Sequence, residues 1–264
     1  TYVQTWINEG LVQPLDPAIV TDRGNIAEQW VDVEFDPGRE YSVPWAWGTT
    51  GVVVNTAIYD GGINTLDLIM DPPEVLRNRI NVIPEMSDVM SMAIYHAGGE
   101  SSCTTDMDVL RQVRDNLMAA KSQWLALDYG TVDSYAAGDL DAGIYWNGAS
   151  MRVRLQNEDF AYGYPTTGYP VWMDNLMVLS DAQNTENAMT FVNFVLQPEN
   201  AALISNFARY ANGITGSEPF MDEVMQGAPE IVVPEDLVAA GRFSQACSQE
   251  INDIHTQIWT ELLQ

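Results

Sequence analysis

Trp172 and Asp174, two residues apart, are the pair in this chain whose types and spacing could do a definite piece of chemistry. They sit in an apolar run over 171–179 that is interrupted only at Asp174 and Asn175, and the run reads as a largely buried strand. Strand side chains alternate faces with period two, so the indole and the carboxylate project from the same side. That combination suits an alkylammonium ion, which draws cation-π attraction from the ring face and a charge-assisted hydrogen bond from the oxygens. The competing reading places Trp172 in the core and leaves Asp174 to cap or turn the chain.

Three further places carry candidate groups. Glu85 and Asp88 are three residues apart at the start of a helical pattern over 84–95, so they share one face of its first turn. Acidic residues there also complement the helix dipole, which requires no ligand. Trp146 closes a strand pattern that runs into a helix over 141–150, with Asn147 as the expected N-cap; ligands of α/β sheets bind at the carboxyl ends of strands. Tyr210 lies in a loop over 209–213 well suited to display a side chain.

Enzymatic signatures are missing by comparison. The chain has no Gly-x-x-x-x-Gly-Lys phosphate loop, no Gly-x-Ser-x-Gly elbow and no Gly-x-Gly-x-x-Gly fingerprint. His96 and His255 are its only histidines, too few for a histidine-based metal site, and no EF-hand loop is present. No catalytic residue, metal or cofactor is therefore assigned. A glycoside hydrolase needs only two carboxylates, so that is the enzyme class the residue types leave open.

The charge narrows the partners. A net charge of -26 and a pI near 4.1 exclude a general electrostatic role on nucleic acid or on anionic membranes. Cationic partners are favoured, although an acidic surface with Lys121 as its one lysine also suits a saline milieu. With 264 residues, 46% of them apolar, the chain can bury the core of two modest lobes or of one large α/β unit. No run of eighteen apolar residues occurs. The chain opens in a helical pattern over 1–10, with Tyr2, Trp6 and Ile7 expected inward, which suggests a fragment or a processed product. Cys103 and Cys247 fit one disulfide in an oxidising compartment, or two buried thiols.

The elements that must position these groups alternate between strand and helix, the pattern of α/β layers. Residues 39–55 read as an extended strand pair, because Pro44 and Gly48 argue against one regular central strand, and as a crossing between lobes. A strand over 80–83 feeds the 84–95 helix. An amphipathic helix follows over 105–120, with Met107, Leu110, Val113 and Leu117 on one face, then a strand over 123–127. A loop rich in Gly, Tyr and Pro precedes the Trp172 strand. Helices over 187–196 (Ala188, Phe191, Val192 and Val195 inward) and 199–207 come next, and a last helix aligns Cys247, Ile251, Ile254, Ile258 and Leu262.

These motifs point to one family. Tyr-Ser-Val-Pro-Trp-Ala-Trp-Gly-Thr-Thr-Gly-Val (41–52), Tyr-Trp-Asn-Gly (145–148), Trp-Met-Asp (172–174), Phe-Val-Asn-Phe-Val-Leu-Gln-Pro-Glu (191–199) and Tyr-Ala-Asn (210–212) together resemble the spermidine/putrescine-binding proteins of bacterial polyamine ABC importers. The likeness covers nearly the whole chain and is weakest over its final forty or so residues. It implies an α/β protein of the periplasmic-binding-protein fold, second type, with two lobes joined by a hinge that close on a polyamine; the alternative within the same fold is a binding protein for another organic cation or amino compound. The lobes would be residues 1–48 with 174–217, and 49–173 with 218–264. The first lobe would be incomplete, since the family has roughly eighty further residues ahead of this start, a signal peptide among them.

By motif, the resemblance makes Trp146 and Trp172 aromatic walls, Asp174 an ammonium anchor, Glu85 and Asp88 the other carboxylates, and Tyr210 a hydroxyl or ring contact. Tyr2 matches a tyrosine that follows a Ser-Thr pair, and the tail contact falls on Ser244 or Gln245. The resemblance further implies a periplasmic, monomeric binding protein that is not an enzyme, with a polyamine ligand, an inner-membrane ABC importer permease as partner, and no nucleic acid. With that address, and with both cysteines in one expected lobe, a Cys103–Cys247 disulfide is expected.

Overall fold

The computed structural model describes residues 2–243 and 245–264. The chain divides into two compact units, the first Thr1–Gly48 with Met173–Ile231 and the second Thr49–Trp172 with Val232–Gln264. The strands Ser42–Asn55 and Tyr169–Leu179 each run from one unit into the other. Residues 39–55 therefore do not form the expected strand pair but one 14-residue strand with its start at Ser42. Proline's φ near −65° is compatible with extended chain, and its cost is a single ladder donor. The antiparallel ladder with Ala142–Trp146 begins at Thr50, beyond both Pro44 and Gly48.

In the second unit the far half of that strand is a sheet centre. It pairs antiparallel with Ala142–Trp146, from Thr50↔Trp146 to Val54↔Ala142, and antiparallel with Phe160–Gly163. Ile80–Val82 lies parallel to Ala142–Trp146 and to Ala126–Leu127. Parallel neighbours need crossovers, and the helices Met86–His96 and Met107–Lys121 supply the one between Ile80–Val82 and Ala126–Leu127. Phe160–Gly163 occupies part of what the composition marked as loop. Glycine is needed on both strands for contact: a Cβ on Gly51 would collide with the Gly163 carbonyl oxygen, and one on Gly163 with the Ile63 carbonyl oxygen.

Val52, Val53, Val54, Ile80, Val82 and Ile144 on this sheet form one core with Val89, Ile94, Leu110, Val113 and Leu117 on the two helices. Ile251, Ile258 and Leu262 on the helix Gln249–Leu263 complete it. Met107 is exposed although it was expected on that face; it is the first helical residue, and the buried stripe starts one turn later at Leu110. A disulfide joins Cys103 to Cys247, tying the loop before Met107–Lys121 to the segment before the last helix. Gly241–Phe243 adds a parallel strand beside Tyr169–Val171, and the Arg242 guanidinium lies 4.4 Å from the Tyr95 ring centroid.

The first unit has its own core of Leu15, Val20, Ile26, Val43, Val178, Met189, Val192, Leu196 and Ile214. On the helix Thr185–Val195, Met189, Val192 and Val195 face inward, whereas Phe191, expected inward, is 50% exposed. On Tyr2–Asn8 it is Val3 that is buried, while Tyr2 is 84% exposed and Trp6 is also exposed. Apolar spacing on so short a helix does not set which face is covered. The return into the second unit also differs from expectation. It falls after Ile231 rather than after Ser217, because Asn206 exchanges hydrogen bonds with Phe220 O (3.0 Å) and Asp222 N (2.7 Å) and Arg209 pairs with Asp222 (2.5 Å).

Candidate functional site

Two strand-to-helix transitions in the second unit build the candidate site. Ile80–Val82 leads through Ile83 and Pro84 to Glu85, which occupies the N-cap position of Met86–His96 without any side-chain cap bond. Ala142–Trp146 leads directly into the helix Asn147–Gln156, with Trp146 in the N-cap position. Asn147, expected to cap, is instead the first helical residue. Its buried side-chain oxygen accepts from Thr49 N at 3.1 Å, so it is committed to the neighbouring strand.

Asp88, in the first turn of Met86–His96, is 7% exposed. Its Oδ2 accepts from the Thr50 hydroxyl at 2.6 Å and from Trp146 Nε1 at 3.3 Å. Among the described residues no cationic side chain pairs with it. Burial holds its carboxyl above the ordinary 3.8 and the nearby Glu85 charge adds to that, against the opposing hydrogen bonds from Thr50, Trp146 and Ser87. Asp88 thus does more than complement a helix dipole: its bonds reach across to strand residues.

Glu85 is half-buried, and Tyr129 donates its hydroxyl proton to Oε1 at 2.7 Å. That bond and the Glu85 charge raise the Tyr129 phenol. The Tyr129 ring stacks on Trp146 with centroids 6.1 Å apart and planes 27° apart. Two carboxylates and two aromatic rings are thereby gathered in one unit. Thr50 and Tyr129 escaped the sequence reading. Tyr129 follows the strand Ala126–Leu127, so the strand-end rule that selected Trp146 could have found it.

The remaining candidates are distributed differently. Trp172 is half-buried and belongs to the second unit, and Asp174, two residues on along the same strand, belongs to the first. The strand is not the largely buried one expected: Tyr169 and Val178 enter the cores near its ends, and the residues between Val171 and Met177 are half-buried or exposed. Asp174 itself is exposed, yet enough protein surrounds it that desolvation raises its carboxyl. Tyr210, half-buried, precedes Ala211, whose carbonyl accepts from Trp47 N at 2.9 Å, and Trp47 Nε1 donates to Asn212 O at 3.2 Å. Tyr2 stands exposed on its helix. Gln245 Oε1 accepts from Ser101 Oγ at 2.9 Å beside the disulfide, and Ser244 lies outside the described residues. Among the described residues no group of three or more His, Cys, Asp or Glu could hold a metal ion.

Residues 1–231 match the model of the bacterial extracellular solute-binding protein family. The chain belongs to that family. Its relatives include the spermidine/putrescine-binding periplasmic protein of Salmonella typhimurium, 26% identical over 215 residues, which covers 79% of this chain and 60% of that protein. The putrescine/agmatine-binding protein of Pseudomonas aeruginosa is 22% identical over 243 residues, covering 86% of this chain and 66% of that one. The chain thus spans about three fifths of the length of the first of these relatives. A solved Listeria monocytogenes protein, named for a spermidine/putrescine ABC transporter, superposes with a TM-score of 0.91 at 23% identity, over 99% of this chain and 80% of that one. The fold is therefore that of the solute-binding proteins, in an α/β arrangement.

Proposed function

We propose that this chain belongs to a periplasmic binding protein that captures polyamines of the putrescine and spermidine class and delivers them, as a monomer, to an inner-membrane ABC importer permease. It catalyses no reaction on them. The observation that carries this reading is Asp88: a buried carboxylate with neutral donors, a second carboxylate at Glu85 nearby, and no cationic partner among the described residues. An arriving ammonium group relieves both its desolvation and its repulsion. Methylene spacers between ligand charges bury against Trp146 and Tyr129 at about 25 cal/mol per Å² of apolar area, and each cation-π contact adds ~0.5 to 2 kcal/mol. Trp172, Asp174, Tyr210 and Tyr2 are the further proposed contacts. The names of the relatives from Salmonella and Pseudomonas support the ligand class.

Titration calorimetry with putrescine, spermidine and the neutral isostere 1,4-butanediol tests the reading. The diamine and triamine are expected to bind saturably and the diol to give no heat. Absence of diamine binding, or equal affinity for the diol, refutes it.

A further inference from the structure

Arg39 in the first unit is 1% exposed, yet among the described residues no carboxylate takes its guanidinium hydrogen bonds. Nε donates to Trp30 O at 2.6 Å, Nη1 to Asn175 Oδ1 at 2.7 Å and to Ser42 Oγ at 3.2 Å, and Nη2 to the Met173 sulfur at 3.1 Å. The Phe35 ring centroid lies 5.2 Å from Cζ. Asp36, the charge beside it, is occupied by the amides of Glu40, Tyr41 and Ser42 and by the Ser42 hydroxyl. Burial pushes the guanidinium down to about 10, with Asp36 offsetting part of the fall. Arg39 also has φ +56°, a left-handed backbone that a side chain as large as arginine adopts only when its surroundings hold it there. A buried, strained arginine is a costly way to fill space, and the rigid fork of its donors is what it offers in return.

Two of those donors go to Met173 and Asn175, the residues on either side of Asp174. Alternation along the strand puts both of their side chains on the face opposite Asp174. Asn175 meanwhile donates its Nδ2 proton to Met173 O at 2.9 Å, spanning the Asp174 backbone with its own side chain. We infer that Arg39 is a positioning residue for Asp174: by gripping Met173 and Asn175 from behind, it fixes the strand segment that presents the carboxylate to an ammonium group. This role rests on the polyamine reading above and on Asp174 as a ligand contact. A carboxylate fixed in advance loses less freedom on binding, so the grip contributes affinity without touching ligand.

Asn175→Ala removes both the acceptor for Arg39 and the bond to Met173 while leaving Asp174 in place. Spermidine affinity is measured by calorimetry for the unmodified protein, Asn175→Ala, Asp174→Asn and the double variant. The expected result is a loss of about tenfold for Asn175→Ala that nearly disappears in the Asp174→Asn background, the non-additivity of residues acting through one group. Arg39→Lys, which keeps the charge but not the fork, should show the same coupled loss; if it fails to fold, the Asn175 cycle still decides. An Asn175→Ala protein with unchanged affinity, or one with the same loss in both backgrounds, overturns the positioning role. A protein that does not bind spermidine at all overturns instead the functional reading beneath it, and Asp174→Asn with undiminished affinity removes Asp174 as the contact.

Discussion

Asp88 and Asp174 are both carboxylates whose charge the fold leaves under-compensated, and the two units reach that state by different constructions. In the second unit Asp88 is buried in a helix's first turn and takes hydrogen bonds directly from Thr50 and Trp146. In the first unit Asp174 stands exposed on a strand, while the polar contacts go to the residues flanking it, Met173 and Asn175. Desolvation raises the carboxyl in both cases, by burial at Asp88 and by the surrounding protein at the exposed Asp174, and at Asp88 the Glu85 charge adds to it. One carboxylate is tuned by its own bonds, and the other is flanked by residues whose side chains are bonded. Removing charge should therefore have a larger effect at Asp88 than at Asp174.

The disulfide is the largest single asymmetry, since Cys103 and Cys247 both lie in the second unit, 144 residues apart. Replacing both by Ala should lower stability by up to roughly 5 kcal/mol on the chain-entropy account. Hydrogen exchange checks where: protection should fall on Met107–Lys121 and Gln249–Leu263 and hold on Thr185–Val195. Uniform loss over both units would erase the asymmetry.

Asp88→Asn should weaken spermidine binding by about 3 to 5 kcal/mol, the upper part of the range for removing one partner of a desolvated charge pair. The ligand-free protein should be at least as stable as before, since the variant removes repulsion with Glu85. Asp174→Asn should cost less, about 2 kcal/mol, and the affinity that remains should depend less steeply on salt. Calorimetry across ionic strength measures both, and an effect at Asp174 exceeding that at Asp88 would invert the comparison.

Acidification should produce smaller, opposed effects. Because the folded-state carboxyls of Asp88 and Asp174 lie above 3.8, their penalty is present at neutral pH. It is relieved as pH falls from their raised values to 3.8, and polyamine affinity falls over the same window. His255 acts the other way: burial lowers it below 6.5, so from 6.5 downward the unfolded chain takes up a proton that the folded chain refuses, and stability falls. Melting temperature followed over about pH 4 to 7 should show Asp88→Asn losing the Asp88 share of the carboxylate gain while retaining the Asp174 share and the histidine loss. Identical profiles for variant and unmodified protein would contradict this.

Much of the order of elements was legible in the sequence. The helix over 84–95 and the amphipathic helix over 105–120 carry local signals, and the strand ending at Trp146 has a clear apolar run. Which side of an element is covered was less legible. Tyr2, Met107 and Phe191 have the right spacing for a packed face, but periodicity specifies which residues share a face and not what lies against it. The strand Phe160–Gly163 hid in a Gly and Tyr-rich stretch because its residues suit close approach to Gly51 rather than a local β pattern. Within the candidate site, Asp88 meets Thr50 across 38 residues and Glu85 meets Tyr129 across 44. Those meetings depend on sheet register, so Thr50 and Tyr129 had no local signal linking them to the carboxylates. The grip of Arg39 on Asn175, 136 residues away, is of the same kind.

A crystal structure of the spermidine complex would place the ammonium groups against the carboxylates. The expected result is an ammonium nitrogen ~2.8 Å from a carboxylate oxygen of Asp88 or Glu85, with the methylene chain against the Trp146 ring. Spermidine bound elsewhere, with no ammonium nitrogen on Asp88 or Glu85, would contradict it.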